Sequence, residues 1–232
     1  ALLRAAGPTG PTEAEGKALL ALYGIPVPGE RLATSPEEAV AAARALGYPV
    51  VLKIVSPHIP HKTEAGGVLL GLADEAAVAA GFTTIVANAR RYRADAEIHG
   101  VSVGEMVGGG RELIVGMTTD PQFGPAVVVG LGGIYVEILK DSALRIPPLT
   151  PADARAMVES LQGYPLLSGA RGLAPLDVDA VVECLCAFSR LCLDLGDEVA
   201  AIDINPLVAL PAGQGVRALD CLVVPRGDGA AR

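Results

Sequence analysis

The stretches of this chain that read as strands and those that read as helices come in blocks rather than in strict alternation, and that order limits the folds open to it. In "TEAEGKALLALYG", Leu19, Leu20 and Leu22 recur at helical spacing, with Thr12 as the N-cap and Gly24 as the stop. "IPVPGERLA" reads as extended, and Ser35 and Pro36 open a second helix, "SPEEAVAAARALG", that ends at Gly47. The β-branched run "YPVVLKIV" predicts a strand, "GGVLLGL" another, and "DEAAVAAGFTTIVANARRY" a helix. "IHGVSVGEMV" and "RELIVGMTTD" then predict two strands joined by Gly108, Gly109 and Gly110, and "GPAVVVGLGGIYVEIL" and "SALRIPPL" continue the strand-rich pattern. The helices "TPADARAMVESL" and "LDVDAVVECLCAFSRLCLDLG" precede "VAAIDINPLVAL" and "GVRALDCLVV", which predict a hairpin. A doubly wound sheet needs a helix between parallel neighbours, so this order predicts α+β subdomains, α/β only in the broad sense.

With 232 residues, 51% of them hydrophobic, and a mean hydropathy of +0.44, the chain can bury the core of one large domain or two small ones. Aromatic residues are 3%, which leaves no platform for stacking bases, and a net charge of −8 argues against a nucleic-acid partner. An anionic ligand must therefore be held locally, by a few lysines, arginines and backbone N–H groups. The cysteines, Cys184, Cys186, Cys192 and Cys221, form no Cys-x-x-Cys pair, which argues against zinc or an iron–sulfur cluster. In a chain with no secretory h-region they read as reduced, buried thiols, and the expected location is the cytoplasm. The longest apolar runs are broken by glycine pairs and a glutamate, so no membrane span is expected. The chain lacks an initiator Met, and "GPTGPTEAEG" near its start reads as a linker, so a segment of a longer fused chain is expected.

Chemistry concentrates in "SPHIPHKTEAGGV", residues 56–68, directly behind the strand that holds Lys53. A lysine within an apolar strand needs an anionic partner or a path to solvent; a place on the solvent face of a half-buried strand explains it equally well. Gly66 and Gly67 can offer backbone N–H groups to a phosphate or simply make a turn. His61, beside Lys62 and ahead of that glycine pair, suits a histidine that carries a phosphoryl group, because cations and N–H donors stabilise the transferred oxygens. A lone loop histidine is more often only solvated, and His58 and His99 are read that way. "GLGG" at residues 130–133 does not open a helix as G-x-G-x-x-G requires, and is rejected as a dinucleotide fingerprint. In "DINPL", Asp203 and Asn205 project to one face of a strand, and Asp220 can return beside them across a hairpin. Such oxygen ligands suit Mg²⁺; an ordinary polar hairpin face is the plainer alternative.

Together, "VVLKIVSPHIPHKTEAGGV", "EMV" with "GRELIVGMTTDPQFGP", "GLGGIYVE" and "AIDINPLVA" resemble the ATP-grasp subunit or domain of the ADP-forming acyl-CoA synthetases, relatives of succinyl-CoA synthetase, from about residue 12 to residue 225. The resemblance implies two α+β subdomains gripping ATP or ADP, an N-terminal one over 12–107 and a C-terminal one over 108–225, between a linker-like tail at 1–11 and a flexible tail at 226–232. It implies that Lys53 meets the nucleotide phosphates and that Glu105, Met106 and Val107 form a hinge meeting adenine through its backbone. Glu112 is implied for the ribose, and Lys62, Gly66 and Gly67 for the phosphate side. Asn205 and Asp220 match the Mg²⁺ positions of the succinyl-CoA enzymes, and Asp203 matches an acidic residue that steadies a phosphohistidine. His61 matches a histidine that is transiently phosphorylated: acyl-CoA and phosphate react in a CoA-binding partner, and the phosphoryl group passes through a partner histidine to His61 and on to ADP. His58 is a departure, since relatives often carry an acidic residue there.

That partner, an alpha subunit or a fused domain, is not readable in these residues, so the chain alone is expected to bind nucleotide without completing the reaction. A regulatory ATP-grasp module fused to a protein N-acetyltransferase is the alternative, and a carboxylate–amine ligase a more distant one. The joint presence of His61, Lys62, Asp203 and Asn205 favours catalysis.

Overall fold

A computed structural model gives the fold and describes residues 10–59, 61–120, 122–132 and 141–226. Most of the linker expected at 1–11, nearly all of the tail at 226–232, and the end of the "GLGGIYVEIL" strand at 133–140 lie outside the described residues. The chain divides into two compact units: one comprises the chain up to Val27 with everything from Gly108 onward, the other Pro28–Val107.

The first helix, α1 (Glu13–Leu22), starts where the sequence predicts: Thr12 Oγ1 accepts from Glu15 N, and the Glu15 carboxylate accepts from Thr12 N at 2.8 Å. It does not join the unit that follows it in sequence, and the expected N-terminal subdomain of 12–107 is corrected accordingly. Leu19 and Leu20 enter the core formed by Leu113, Phe188 and Ile204, so α1 belongs to the unit that begins again at Gly108. Gly16 permits this approach, since a Cβ there would lie 3.1 Å from the Cys221 carbonyl oxygen.

The unit of Pro28–Val107 holds β1 (Glu30–Ala33), α2 (Pro36–Leu46), β2 (Val50–Val55), β3 (Val68–Leu72), α3 (Glu75–Tyr92) and β4 (Gly100–Glu105). Its sheet has the order β1-β4-β2-β3, antiparallel throughout. Strand alternation puts Val50, Leu52, Ile54, Val101 and Val103 on one face, buried with the α2 alanines and with Val78, Phe82 and Ile85 of α3. Val51, Lys53, Ser102 and Gly104 occupy the opposite face.

The other unit adds β5 (Arg111–Asp120), β6 (Gly124–Leu131), β7 (Ser142–Arg145), α4 (Pro151–Glu159), α5 (Val178–Leu195), β8 (Val199–Ala209), β9 (Val216–Ala218) and β10 (Leu222–Pro225). The sheet runs β10-β8-β5-β6-β7, with β9 also on β8, again antiparallel. Val181, Leu185, Phe188 and Cys192 form the buried stripe of α5, and meet Leu113, Val115, Val127, Val129, Ile202 and Ile204. The single strand expected of "GVRALDCLVV" is two, because residues 219–221 leave the ladder between β9 and β10. Among the described residues no helix is long and apolar enough to cross a membrane.

Leu20 is fully buried, so Leu20→Ala is expected to cost about 2–5 kcal/mol in denaturant unfolding. Amide exchange should quicken in α5 and β8 and leave β2 unchanged; faster exchange in β2 alone would contradict the placement of α1.

Candidate functional site

β2 ends at Val55, and the chain enters the histidine loop between two apolar anchors. Ile59 is fully buried and Ala65 nearly so, and His61 between them is exposed. Residues 61–67 make one helical turn closed in the Schellman manner. Ala65 N donates to the His61 carbonyl at 3.3 Å, Gly66 N to that of Thr63 at 3.0 Å, and Gly67 N to that of Lys62 at 2.7 Å. Gly66 takes the left-handed conformation this closure needs, with φ +60. At Gly67 a Cβ would fall 2.5 Å from Ile54 Cγ2 and 2.9 Å from the Lys62 oxygen. The turn is then tied down from outside: Ile54 N donates to the Gly67 oxygen at 2.8 Å, and Asn88 Nδ2 of α3 to the Gly66 oxygen at 3.0 Å. The N–H groups of Gly66 and Gly67 are thus engaged within the turn, and the expectation that they meet a phosphate is corrected; both glycines serve closure.

Lys53 lies in β2 between Val68 of β3 and Ser102 of β4, half-buried on the face turned away from the helices. Lys62 is half-buried in the turn. Glu105, exposed at the end of β4, donates its N–H to the Gly29 oxygen at 3.0 Å and accepts from Gly29 N on Oε2 at 3.2 Å. Its N–H is therefore engaged, and Met106 and Val107 follow beyond the strand, Met106 39% exposed.

In the other unit, Asp203 and Asn205 occupy the face of β8 opposite the core residues Ile202 and Ile204. Asp203 pairs with Gly116 on one side and Leu222 on the other. The pairs Leu207 with Ala218 and Asp203 with Leu222 keep one register, and the Leu219 N–H bonds the Pro206 oxygen at 3.0 Å between them. That register sets Asp220 across from Asn205 although residues 219–221 leave the ladder. Burial, and then the charge of Asp220, hold the Asp203 carboxyl above its usual range. Asp220 Oδ1 accepts from Cys221 N at 2.7 Å. Glu112 is exposed on β5, one step from core-facing Leu113 and so on the Asp203 face. A Cβ on Gly132 would sit 2.8 Å from the Glu112 carbonyl carbon, so this glycine of "GLGG" serves a close backbone approach.

A carboxyl whose proton affinity is raised by burial and by a neighbouring carboxylate, with an amide oxygen alongside, fits a hard divalent cation. Among the described residues no group of three or more His, Cys, Asp or Glu could hold a metal. Sequence reasoning took His58 for a solvated loop histidine; in the fold its Nδ1 accepts the N–H of Glu97 at 3.0 Å. The partner of His58, far along the chain, has no local signal.

A family model described as an ATP-grasp domain matches residues 3–224. The beta subunit of acetate–CoA ligase (ADP-forming) II of Pyrococcus furiosus is 44% identical over 96% of this chain and 94% of its own length. The 4-hydroxybutyrate–CoA ligase (ADP-forming) of Nitrosopumilus maritimus is 46% identical over 90% of this chain, which corresponds to 30% of that longer protein. Acetyl-coenzyme A synthetase 1 of Candidatus Korarchaeum cryptofilum, solved with coenzyme A and Ca-AMPCP, superposes with a TM-score of 0.90 at 41% identity, covering 97% of this chain and 98% of that one. The chain belongs to the ATP-grasp family, in the branch of the beta subunits and domains of ADP-forming acyl-CoA synthetases.

Gly67→Ala is expected to cost about 1–3 kcal/mol through overpacking on Ile54, seen as a lower midpoint in urea. For Asp203 the sign follows from its raised folded-state pKa: its contribution favours the fold while the carboxyl is protonated and is lost as pH rises through that pKa. Asp203→Asn should therefore raise Tm near neutral pH in chelator, and the gain should shrink on acidification. A Tm difference constant across pH would contradict this.

Proposed function

We propose that this chain is the nucleotide-binding subunit of an ADP-forming acyl-CoA synthetase and moves a phosphoryl group between His61 and ADP. The observation that carries this reading is His61, exposed on a closed turn between two buried anchors, in the unit whose central strand presents Lys53. In the direction of ATP use, an imidazole nitrogen of His61 attacks the γ-phosphorus. The P–N bond forms, the P–O bond to ADP breaks, and the ring gives up a proton; the reverse makes ATP. Lys53 and Lys62 balance phosphate charge, the Met106 and Val107 backbone meets adenine, and Glu112 reaches the ribose. Asn205 and Asp220 hold Mg²⁺, which when bound neutralises the nucleotide phosphates, and Asp203 steadies the phosphorylated ring.

The full reaction, acyl-CoA + ADP + phosphate ⇌ carboxylic acid + CoA + ATP, needs a CoA-binding alpha subunit or fused domain. The fused relative, of which this chain matches 30%, supports such a partner. The four cysteines are all free, which supports a reducing compartment, the cytoplasm. A purely regulatory module would have less need of an exposed His61 beside Lys62.

Incubation with γ-labelled ATP and Mg²⁺ should leave an acid-labile phosphate on the wild type and none on His61→Ala, with nucleotide affinity retained in both. Labelling of the alanine variant would remove His61 from the relay. Asn205→Ala and Asp220→Ala should weaken Mg²⁺-dependent nucleotide binding by about tenfold or more, measured by calorimetry; unchanged affinity would take them out of the metal site.

A further inference from the structure

We propose that His58 is a positioning residue for His61, fixing the near side of the turn whose far side Gly67 closes. This rests on the reading of His61 as the phosphoryl acceptor. Far from being a solvated loop histidine, His58 is half-buried and bonded along its backbone and its ring. Its N–H donates to Ser56 Oγ at 3.2 Å, and its carbonyl accepts from Arg93 Nη1 at 3.4 Å. Nδ1 accepts the backbone N–H of Glu97 at 3.0 Å. A ring nitrogen accepting from an amide carries no proton, so this bond exists only with Nδ1 deprotonated.

The segment that supplies the donor is itself fixed. Arg93 N bonds the Ala89 oxygen at the end of α3 at 2.9 Å, Ala96 is buried and its N–H bonds the Arg93 oxygen at 3.1 Å, and His99 N bonds the Val55 oxygen at 2.8 Å. Glu97 Oε1 is 3.1 Å from His99 Nε2, so the Glu97 side chain is turned to its own segment and only its backbone serves His58. The residue after His58 is the fully buried Ile59. The chain therefore reaches His61 from a base bonded both to the end of β2 and to the C-terminus of α3. In-line attack on phosphorus demands a nucleophile placed within about an ångström, and misplacement by that much can cost about 100-fold in rate. The ring of His58 sets where the turn begins without meeting the substrate.

The test uses the full chain with ATP and Mg²⁺, following the rate of acid-labile phosphate on the protein and amide exchange at Glu97. His58→Ala should slow phosphorylation about tenfold or more, with nucleotide Kd nearly unchanged and Glu97 exchanging faster. His58→Asn, whose Oδ1 can accept near the Nδ1 position, should restore both the rate and the protection. An alanine variant that phosphorylates at the wild-type rate overturns the proposal, as does an asparagine variant that protects Glu97 yet stays slow. Absence of label on the wild type would instead overturn the role of His61, while the exchange at Glu97 would still report whether the brace exists.

Discussion

The bond from the Gly67 N–H to the Lys62 carbonyl, 2.7 Å long, is the constraint on which the histidine-bearing unit depends. It demands a left-handed residue before it, met by Gly66, and a bare Cα at Gly67, because Ile54 and the Lys62 carbonyl fill the space where a Cβ would go. Ile54 belongs to the helix-covered face of β2, and Lys53, its neighbour, to the opposite face. One strand thus supplies the anchor for the turn on one side and a cation on the other. Strand alternation, a property of the backbone alone, links the position of His61 to that of Lys53.

Alternation does the same work in β8. Ile202 and Ile204 are held by the core, so Asp203 and Asn205 must point the other way, and the continued register sets Asp220 beside them. The core side carries the stabilisation, since burying a large aliphatic side chain contributes about 1.5–3 kcal/mol. The polar side carries a cost, visible in the raised proton affinity of Asp203. Ligand-ready carboxylates are tolerated here because the opposite face of the same strand more than offsets them.

The elements were legible because their signals are local: caps at Thr12 and Ser35, stops at Gly24 and Gly47, and β-branched runs for the strands. The membership of α1 was not, because Leu19 and Leu20 read as an apolar stripe whichever core receives them. Among the site residues, the shared face of Asp203 and Asn205 follows from a period of two and was readable. The use of the Gly66 and Gly67 N–H groups was not, since a glycine pair that cradles an anion and one that closes a helix look alike in sequence. His58 carried even less signal, as its partner Glu97 is reached only after β3 and α3 have folded back on β2.

A net charge of −8 on a protein that takes a polyanion is less paradoxical than it looks. At physiological ionic strength the Debye length is about 8 Å, so distant exposed carboxylates are largely screened and the immediate surroundings decide. Those surroundings are of two kinds. In the unit of His61 the fold sets Lys53 on a β-strand and Lys62 in a closed turn. Around Asp203 it sets carboxylates, which repel a phosphate unless they are protonated or share a cation with it. A divalent cation shared with the phosphates relieves that repulsion. The two units therefore differ in kind: one offers lysines on a strand and in a closed turn, the other carboxylates whose repulsion of a phosphate a divalent ion would relieve.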